Sequence, residues 1–229
     1  MSEGLISPRG IAMIREANFR APWTVHLTGL ARNVFANTGS LDVAAESIAR
    51  ALPRDRRAET KPYVIAWLEC VCAPALSLTQ PWPWIIFNLG KRVENRSRNL
   101  GNWRGPVLIH ASKKMTKHDW ISAYAFVHDH ISHNAAQLIP HSQSLALPRG
   151  VILGVAHITN QCEPGPAWND TRPHEPMDWP EQKRWYTGAH AYYLERVRQF
   201  SCPVIASGAL GFWKPPPEVL DALLHVTVR

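Results

Sequence analysis

The stretch from residue 78 to residue 114 combines aromatic, amide and cationic side chains in a pattern suited to nucleic acid. Trp82 and Trp84 stand beside Gln80, and a dense group of charges follows in residues 90–96, GKRVENR. Flat rings stack on bases, while lysine and arginine contact the phosphate backbone. This mixture therefore favours a phosphate-bearing partner. The side chains that we predict to contact nucleic acid are Gln80, Trp82, Trp84, Lys91, Glu94, Arg96, Arg98, His110, Ser112, Lys113 and Lys114.

The positive charge of the protein is concentrated in one segment. Residues 90–117 contain eight lysine or arginine residues and one acidic residue, Glu94, and their net charge of +7 equals that of the whole chain. Residues 1–73 have a net charge of only +2. With a sequence pI of about 9.5, this distribution favours an anionic partner such as nucleic acid.

Lys91, Glu94 and Arg96 are the residues best suited to chemistry. A lysine activated by a carboxylate, or a glutamate that acts as general base, needs the two groups within hydrogen-bonding reach. Strict strand alternation over residues 91–96 places Lys91 and Glu94 on opposite faces, whereas a turn or bulge would let them meet. The alternative is a structural ion pair that fixes the strand to the preceding helix, because paired charges also shift pKa values without doing chemistry.

The other candidates have a functional and a structural interpretation. Trp82 and Trp84 lie two residues apart on a predicted helix, so we expect one to pack inward and the other to offer a stacking surface. Four polar residues could read base edges, but polar side chains near turns commonly cap backbone groups: Gln80, Asn95, Ser97 and Ser112. Five basic residues are predicted phosphate contacts, with a solvated basic face as the alternative: Arg98, Arg104, Lys113, Lys114 and Lys117.

Composition argues against several classes of protein. A chain of 229 residues with 45% hydrophobic residues and 10 tryptophans is typical of a folded globular protein. Four cysteines are too few for a disulfide scaffold and lack zinc-ribbon spacing, so we expect reduced thiols. His128, His130 and His133 have no carboxylate or cysteine at metal-binding spacing, so we predict no metal and no cofactor.

The N-terminal segment predicts no export signal, because Pro8, Arg9, Gly10 and Arg15 interrupt its apolar residues. No apolar run approaches the roughly 20 residues needed to cross a bilayer. We therefore predict a cytoplasmic location and no membrane contact.

Local patterns predict the elements that position the charged stretch. Ser40 is a predicted helix N-cap, Gly90 a left-handed helix end, and Thr116 or Asp119 a second N-cap. The pattern of residues 1–40 predicts mainly loops. Residues 63–72 are apolar, and their pattern does not distinguish a helix from a strand. Strands are predicted at residues 75–78, 91–96, 107–111, 150–160, 192–200 and 226–228, with an edge segment at 202–204. Helices are predicted at residues 41–52, 82–89, 120–131 and 217–224.

The second half of the chain contains a long proline-rich segment. Residues 162–181 contain five prolines and have a net charge of −4, which predicts a loop. Loops of this length are usually functional, so we expect a lid over a site. Residues 208–213 predict a tight turn between glycines. Strands separated by single short helices, with no βαβ repeat, predict an α+β fold built on a small mixed barrel.

Four pieces of the chain resemble the ASCH domain, a member of the PUA-like superfamily. Residues 90–96 are similar to its GxKxxExR signature, with one residue fewer between the glycine and the lysine. Three further pieces are similar to its LSLxQPW opening, its RGPxLIHA strand and its closing GxxGFW turn: residues 75–82, 104–112 and 208–213. The pieces occur in the family's order and define an ASCH-like domain at residues 74–229. Residues 1–73 form a mainly helical or irregular extension of unknown role.

The resemblance implies a PUA-like barrel with flanking helices, a cleft lined by the signature, and a role with RNA or single-stranded nucleic acid. One branch of the superfamily hydrolyses N4-acetylcytidine with a lysine and a threonine three residues later, together with a glutamate elsewhere. Lys91 matches that lysine, but Glu94 stands at the threonine position, so the nucleophilic hydroxyl group is missing there. Other members are described as ribonucleases.

We therefore expect a nucleic-acid-binding protein in which Lys91, Glu94 and Arg96 form the floor of the cleft. The alternative is a hydrolase of the same superfamily, a small ribonuclease or an N4-acetylcytidine-type amidohydrolase, with Lys91 and Glu94 catalytic. In that case the ligand is RNA or a modified nucleoside. A third hypothesis is a protein-interaction module whose basic patch binds an acidic partner.

Overall fold

The fold is α+β, with a six-stranded sheet that curls into a half-barrel. The computed structural model describes residues 73–164, 179–223 and 226, together with isolated positions between 34 and 50. The strands are β1 (Ala75–Leu78), β2 (Val93–Arg96), β3 (Gly105–Ala111), β4 (Val151–Cys162), β5 (His190–Ile205) and β6 (Phe212–Trp213). The helices are α1 (Trp82–Asn88), α2 (Lys117–His130), α3 (His133–Gln137), α4 (Trp179–Gln182) and α5 (Pro217–Leu223), with a 3-10 turn at Lys183–Trp185.

The sheet has the strand order β2-β5-β4-β3-β1-β6. β1 pairs with β3 in parallel, and the other neighbouring strands pair antiparallel. The predicted central strand at residues 150–160 is confirmed as β4, which pairs with β3 on one side and β5 on the other. Its first eight residues are buried, as a strand covered on both faces requires.

Alternating side chains divide the core into layers on the two faces of the sheet. Leu76 and Ile109 pack with Tyr192 and with Ile86 of α1. Leu108, on the opposite face, packs with a second layer that includes residues of α5. A third cluster joins α1 and β2 to α2 and α3. The layers hold the beginning of β2 against the end of α1, where the candidate site lies.

Two predicted helix boundaries follow from local chemistry. Gly90 has a φ of +70°, a conformation that glycine adopts without a steric penalty, and α1 ends just before it. Thr116 caps α2 through a capping box, in which its hydroxyl group accepts from the Asp119 N–H and the Asp119 carboxylate accepts from the Thr116 N–H. Both predictions are confirmed.

Several predicted boundaries are wrong, and the cause is tertiary pairing. The strand predicted at 91–96 begins at Val93, and the one predicted at 107–111 begins at Gly105. The predicted edge segment at residues 202–204 belongs to the 16-residue strand β5 and pairs with central β4. The predicted loop at residues 162–181 includes Trp179–Gln182, which is helical.

Some predictions fall largely outside the described residues. Of the helix predicted at 41–52, the structure describes four residues, and the Val43 N–H donates to Ser40 Oγ at 3.3 Å, as the predicted N-cap would. The segment at 63–72 and most of the proposed lid, residues 165–178, are not among the described residues. Val226 is not in a strand, and residues 227 and 228 of that predicted strand are not described. Within the described part of the chain, no helix is long and apolar enough to span a membrane.

Replacing Gly154 with alanine should destabilise the fold. Gly154 lies in β4 where an added methyl group would collide with the backbone carbonyl of Arg198 in β5 and approach the Phe87 ring to 2.7 Å. The ring can move, but the paired backbone cannot. We expect a loss of about 1–3 kcal/mol in the free energy of unfolding, as for other overpacked cores, measured by urea denaturation.

Ala125→Ser is the matched control, because it also adds one atom but at an exposed position on α2. It should change stability by less than about 0.5 kcal/mol. Equal stability of Gly154→Ala and the wild type would contradict the close approach of β4 and β5 at this position.

Candidate functional site

A single side chain connects two strands that no hydrogen-bond ladder joins. β2 and β1 lie far apart in the strand order, yet Arg96 Nη2 donates to the Ser77 carbonyl oxygen at 2.9 Å. β1 pairs with β3 through the carbonyls of Pro74 and Leu78, so the Ser77 carbonyl points to the other side. We name the space between β1 and β2 the strand gap. Arg96 spans this gap and satisfies a strand-edge carbonyl there.

Glu94 lies between two cations beside the strand gap. Its Oε2 accepts from Lys91 Nζ at 3.0 Å, and its Oε1 lies 3.1 Å from Arg96 Nε. This second contact is an ion pair without hydrogen-bond alignment, since Arg96 Nε has no hydrogen-bond partner among the described residues. Lys91 and Glu94 are 2% and 6% exposed, whereas 21% of the Arg96 side chain is exposed. We name Lys91, Glu94 and Arg96 the ion cluster.

The prediction that strand alternation separates Lys91 from Glu94 is wrong. Because β2 begins at Val93, Lys91 lies in the turn after Gly90 and its side chain folds back toward the strand. Glu94 and Arg96 share one face of β2, since they lie opposite Tyr192 and His190. The turn therefore creates the contact that a continuous strand would prevent.

The ion cluster has two cations for one carboxylate. Burial lowers the pKa of Lys91 below its usual value of 10.5, and the positive charge of Arg96 acts in the same direction, while Glu94 opposes both. With all three groups ionised, the cluster has one excess positive charge in a poorly solvated place, which is unfavourable without a compensating anion. Water at the partly exposed Arg96, loss of the Lys91 proton or a bound anion can each offset this charge.

The two tryptophans do not divide as predicted into one buried and one exposed ring. Both Trp82 and Trp84 are half-buried and pack against the cluster formed by α1, α2 and α3. Trp82 makes an edge contact with Phe126, with 5.7 Å between ring centroids, and Lys91 Nζ lies 5.4 Å from the Trp82 ring centroid. The Trp82 ring therefore adds a cation–π contact to Lys91 at the edge of the site.

Two amide side chains fix the turn that carries Lys91. Gln182 Oε1 accepts from the Arg92 N–H at 2.8 Å, and its Nε2 donates to the Gly90 carbonyl at 3.1 Å. Asn95 donates to the Trp185 carbonyl at 2.8 Å and accepts from the Thr187 N–H at 3.1 Å. Residues 179–187 are thereby held against residues 90–95. Asn95 therefore has a structural role, which was the alternative to contacting base edges. No local pattern in the sequence pointed to Gln182.

Gln80 and His110 are occupied by contacts within the protein. Gln80 is fully buried, donates to the Pro148 carbonyl at 2.9 Å and accepts from the Trp84 N–H at 3.3 Å. His110 is 1% exposed, and because the Ala206 carbonyl 3.1 Å away can only accept, Nε2 carries the proton of the neutral ring. Its Nδ1 lies 3.0 Å from Ser77 Oγ. Burial lowers the pKa of His110, although the bond to Ala206 opposes this shift.

The predicted phosphate contacts lie at two ends of the sheet. Arg98 is exposed in the segment after β2, and Arg104 reaches Gln161, which in turn donates to Asn99 in that segment. Lys113 and Lys114 are exposed beyond the other end of β3, as is Lys117 at the start of α2. Seven residues of strand, about 20 Å, separate these groups. Ser112 is half-buried on the lysine side, and its N–H donates to Leu78.

Sequence reasoning missed a histidine beside Arg96. His190 lies directly opposite Arg96 in the β2–β5 ladder, and its Nδ1 is 3.1 Å from Glu163 Oε2. The side chain of His190 is 18% exposed, similar to that of Arg96. The pairing register that brings the two together is not visible in local sequence patterns.

The histidines of α2 make aromatic contacts. His128 stacks on Tyr124 and pairs with Asp129, while His130 stacks on Phe126 at 4.6 Å between ring centroids. In the parts of the chain that the structure describes, no group of three or more potential ligands is placed to hold a metal ion.

Glu94→Gln should destabilise the protein because it leaves the buried Lys91 and the partly buried Arg96 without their shared carboxylate. We expect a loss of about 3–5 kcal/mol in the free energy of unfolding, the usual size for a broken buried ion pair. The double variant Lys91→Met/Glu94→Gln should recover part of this loss, because it also removes a buried cation. Urea denaturation measures both effects.

Glu195→Gln provides the control, since Glu195 is exposed on β5, and its free energy of unfolding should stay within about 0.5 kcal/mol of the wild type. If the double variant is less stable than Glu94→Gln, the Lys91 ammonium group does not need Glu94 as its counter-charge, and the account of the ion cluster is contradicted.

No model of a known protein family matches the chain, and no curated protein is significantly similar to it.

Proposed function

We propose that this chain is an ASCH-type, PUA-like protein that binds RNA, or single-stranded nucleic acid more generally, at the strand gap. The observation that carries the proposal is the excess positive charge of the ion cluster. Lys91 and Glu94 are nearly inaccessible, so Arg96 is the member that presents this charge outward. A phosphodiester group has one negative charge and compensates one excess positive charge.

Arg96 has the geometry for this role. Its Nη2 bonds Ser77 and its Nε faces Glu94, while its Nη1 makes no hydrogen bond or ion pair with a described residue. The guanidinium group is therefore fixed on two sides and available on the third. A fixed guanidinium group loses little conformational freedom when it binds a phosphate oxygen, and this favours affinity.

Neighbouring residues suit the rest of a single strand. Arg98 lies two residues after Arg96 and is exposed, so it can contact a second phosphate. The half-buried rings of Trp82 and Trp84 retain partly exposed surface on which a base can stack. Lys113 and Lys114 follow β3 at the end where His110 and Ala111 pair with Ser77 and Leu78 of β1, on the same side as the carbonyl that Arg96 bonds.

A hydrolase of RNA or of a modified nucleoside is the second candidate, and the Lys91–Glu94 contact favours it. Burial lowers the pKa of Lys91, and a neutral amine beside a carboxylate can accept a proton or attack a carbonyl group. The amidohydrolase branch has a threonine where this chain has Glu94, so such chemistry here would require Glu94 itself as general base.

Binding of single-stranded RNA should depend on Arg96 and on salt. Arg96→Gln should weaken binding about tenfold or more and reduce the slope of log affinity against log salt by about one, because one phosphate contact is lost. Fluorescence anisotropy at several salt concentrations measures both quantities. Lys214→Gln, at an exposed position after β6, is the control of equal charge and should have a smaller effect.

Absence of binding even at low salt would contradict the nucleic-acid proposal. Equal losses in Arg96→Gln and Lys214→Gln would indicate a diffuse surface rather than a site. Circular dichroism melting of each variant identifies losses that come from unfolding.

Binding of a nucleic-acid phosphate should be coupled to proton uptake. A bound anion favours protonated Lys91 and so raises its pKa, which burial lowers in the free protein. The uptake appears at pH values between the lowered pKa of Lys91 in the free protein and its higher pKa in the complex. Calorimetric titration with single-stranded DNA in buffers of different ionisation enthalpy, over a series of pH values, measures it.

Lys91→Met should still bind but should lose this proton uptake. An equal uptake in the wild type and in Lys91→Met would contradict the role of Lys91, and proton release would contradict its sign.

A further inference from the structure

His190 is placed beside the residue that we propose to hold a phosphate. It lies directly across the β2–β5 ladder from Arg96, so the two side chains share one face with Cβ atoms about 5 Å apart. Glu94 and Tyr192, the next cross-strand pair on that face, lie beside them. The imidazole ring is therefore within reach of a group bound to Arg96.

Glu163 lies against one nitrogen of His190. Glu163 Oε2 is 3.1 Å from His190 Nδ1, and its Oε1 accepts from Asn99 at 3.2 Å and from Gln161 at 3.4 Å. The His190–Glu163 contact is close but not aligned as a hydrogen bond, as is common for catalytic groups without substrate. His190 Nε2 makes no hydrogen bond or ion pair with a described residue.

The carboxylate also favours one proton position on the neutral ring. An ionised Glu163 can only accept, so it favours the proton on Nδ1 and leaves the lone pair on Nε2. A histidine with a carboxylate beside one nitrogen and a lone pair on the other can act as a general base once that contact aligns. Arg96 then lies where negative charge would develop on a bound phosphate.

We propose that His190 is a catalytic general base that cleaves RNA bound at Arg96, with Glu163 as its positioning residue. This inference rests on the proposed nucleic-acid binding at the strand gap. It assigns the activity to single-stranded RNA and not to DNA, because the nucleophile is the ribose 2′-hydroxyl group of the ligand.

The reaction is a transesterification within the RNA. His190 Nε2 takes the proton of the 2′-hydroxyl group, the 2′-oxygen forms a bond to the adjacent phosphorus, and the bond from phosphorus to the 5′-oxygen breaks with its electron pair on that oxygen. Water protonates the leaving 5′-oxygen, and the resulting hydroxide takes the proton back from His190. The products are a 2′,3′-cyclic phosphate and a 5′-hydroxyl group, with no change in oxidation state.

The test compares cleavage with binding on the same molecule. A labelled single-stranded RNA of mixed sequence, and the same RNA with 2′-fluoro groups that cannot react, report the cleavage rate at saturation and the Kd. We expect the wild type to form cyclic-phosphate products, and His190→Ala to cleave about 10²–10⁴-fold more slowly with its Kd within about threefold. Added imidazole should restore part of the His190→Ala rate, which a structural role would not allow.

Glu163→Gln should slow cleavage less than His190→Ala and shift its pH profile, because the amide can no longer fix the Nδ1 proton. His118→Ala, at an exposed histidine on α2, is the matched control and should cleave as the wild type does.

Three results would overturn the proposal. RNA binding without cleavage by the wild type removes the catalytic role and leaves the nucleic-acid binding intact. Cleavage at saturation by His190→Ala at the wild-type rate removes the role of His190. Absence of RNA binding overturns the proposed function itself, and this inference with it.

Discussion

The guanidinium group of Arg96 is the constraint on which the rest of the site depends. A curled sheet that is not closed by a ladder leaves strand-edge groups to satisfy, and Arg96 from β2 bonds the Ser77 carbonyl of β1 across the strand gap. A cation at this place needs a counter-charge, which Glu94 supplies. Lys91 shares that carboxylate. The interaction that joins the two strands therefore also creates a charged group with one positive charge in excess.

The surroundings of this cluster separate structural residues from available ones. Gln80 and His110 are buried and bonded within the protein, so they support the strands around the gap. Gln182 fixes the backbone of residues 90–92 and so determines where Lys91 can reach. Arg96 and His190 remain partly exposed, each with a nitrogen that makes no hydrogen bond or ion pair with a described residue. We therefore expect ligand binding, and any catalysis, at these two side chains. The buried members of the ion cluster, Lys91 and Glu94, affect the charge at the site.

Local sequence signals predicted the elements well but not the site. The helix end at Gly90, the capping box at Thr116 and the central strand β4 depend on residues close together in the chain, and these predictions are confirmed. Glu94 was predicted to matter, but its contact with Lys91 depends on where β2 begins, which the pairing with β5 decides. The positions of Gln182 and His190 depend on long-range register, where a shift of one residue would turn each side chain to the other face.

A crystal structure with a bound single-stranded RNA that cannot react at its 2′ positions is the most direct measurement of the central claim. Our account predicts a phosphate oxygen within hydrogen-bonding distance of Arg96 at the strand gap, with His190 facing the adjacent ribose. An oligonucleotide bound elsewhere, with Arg96 in contact only with Ser77 and Glu94, would contradict it.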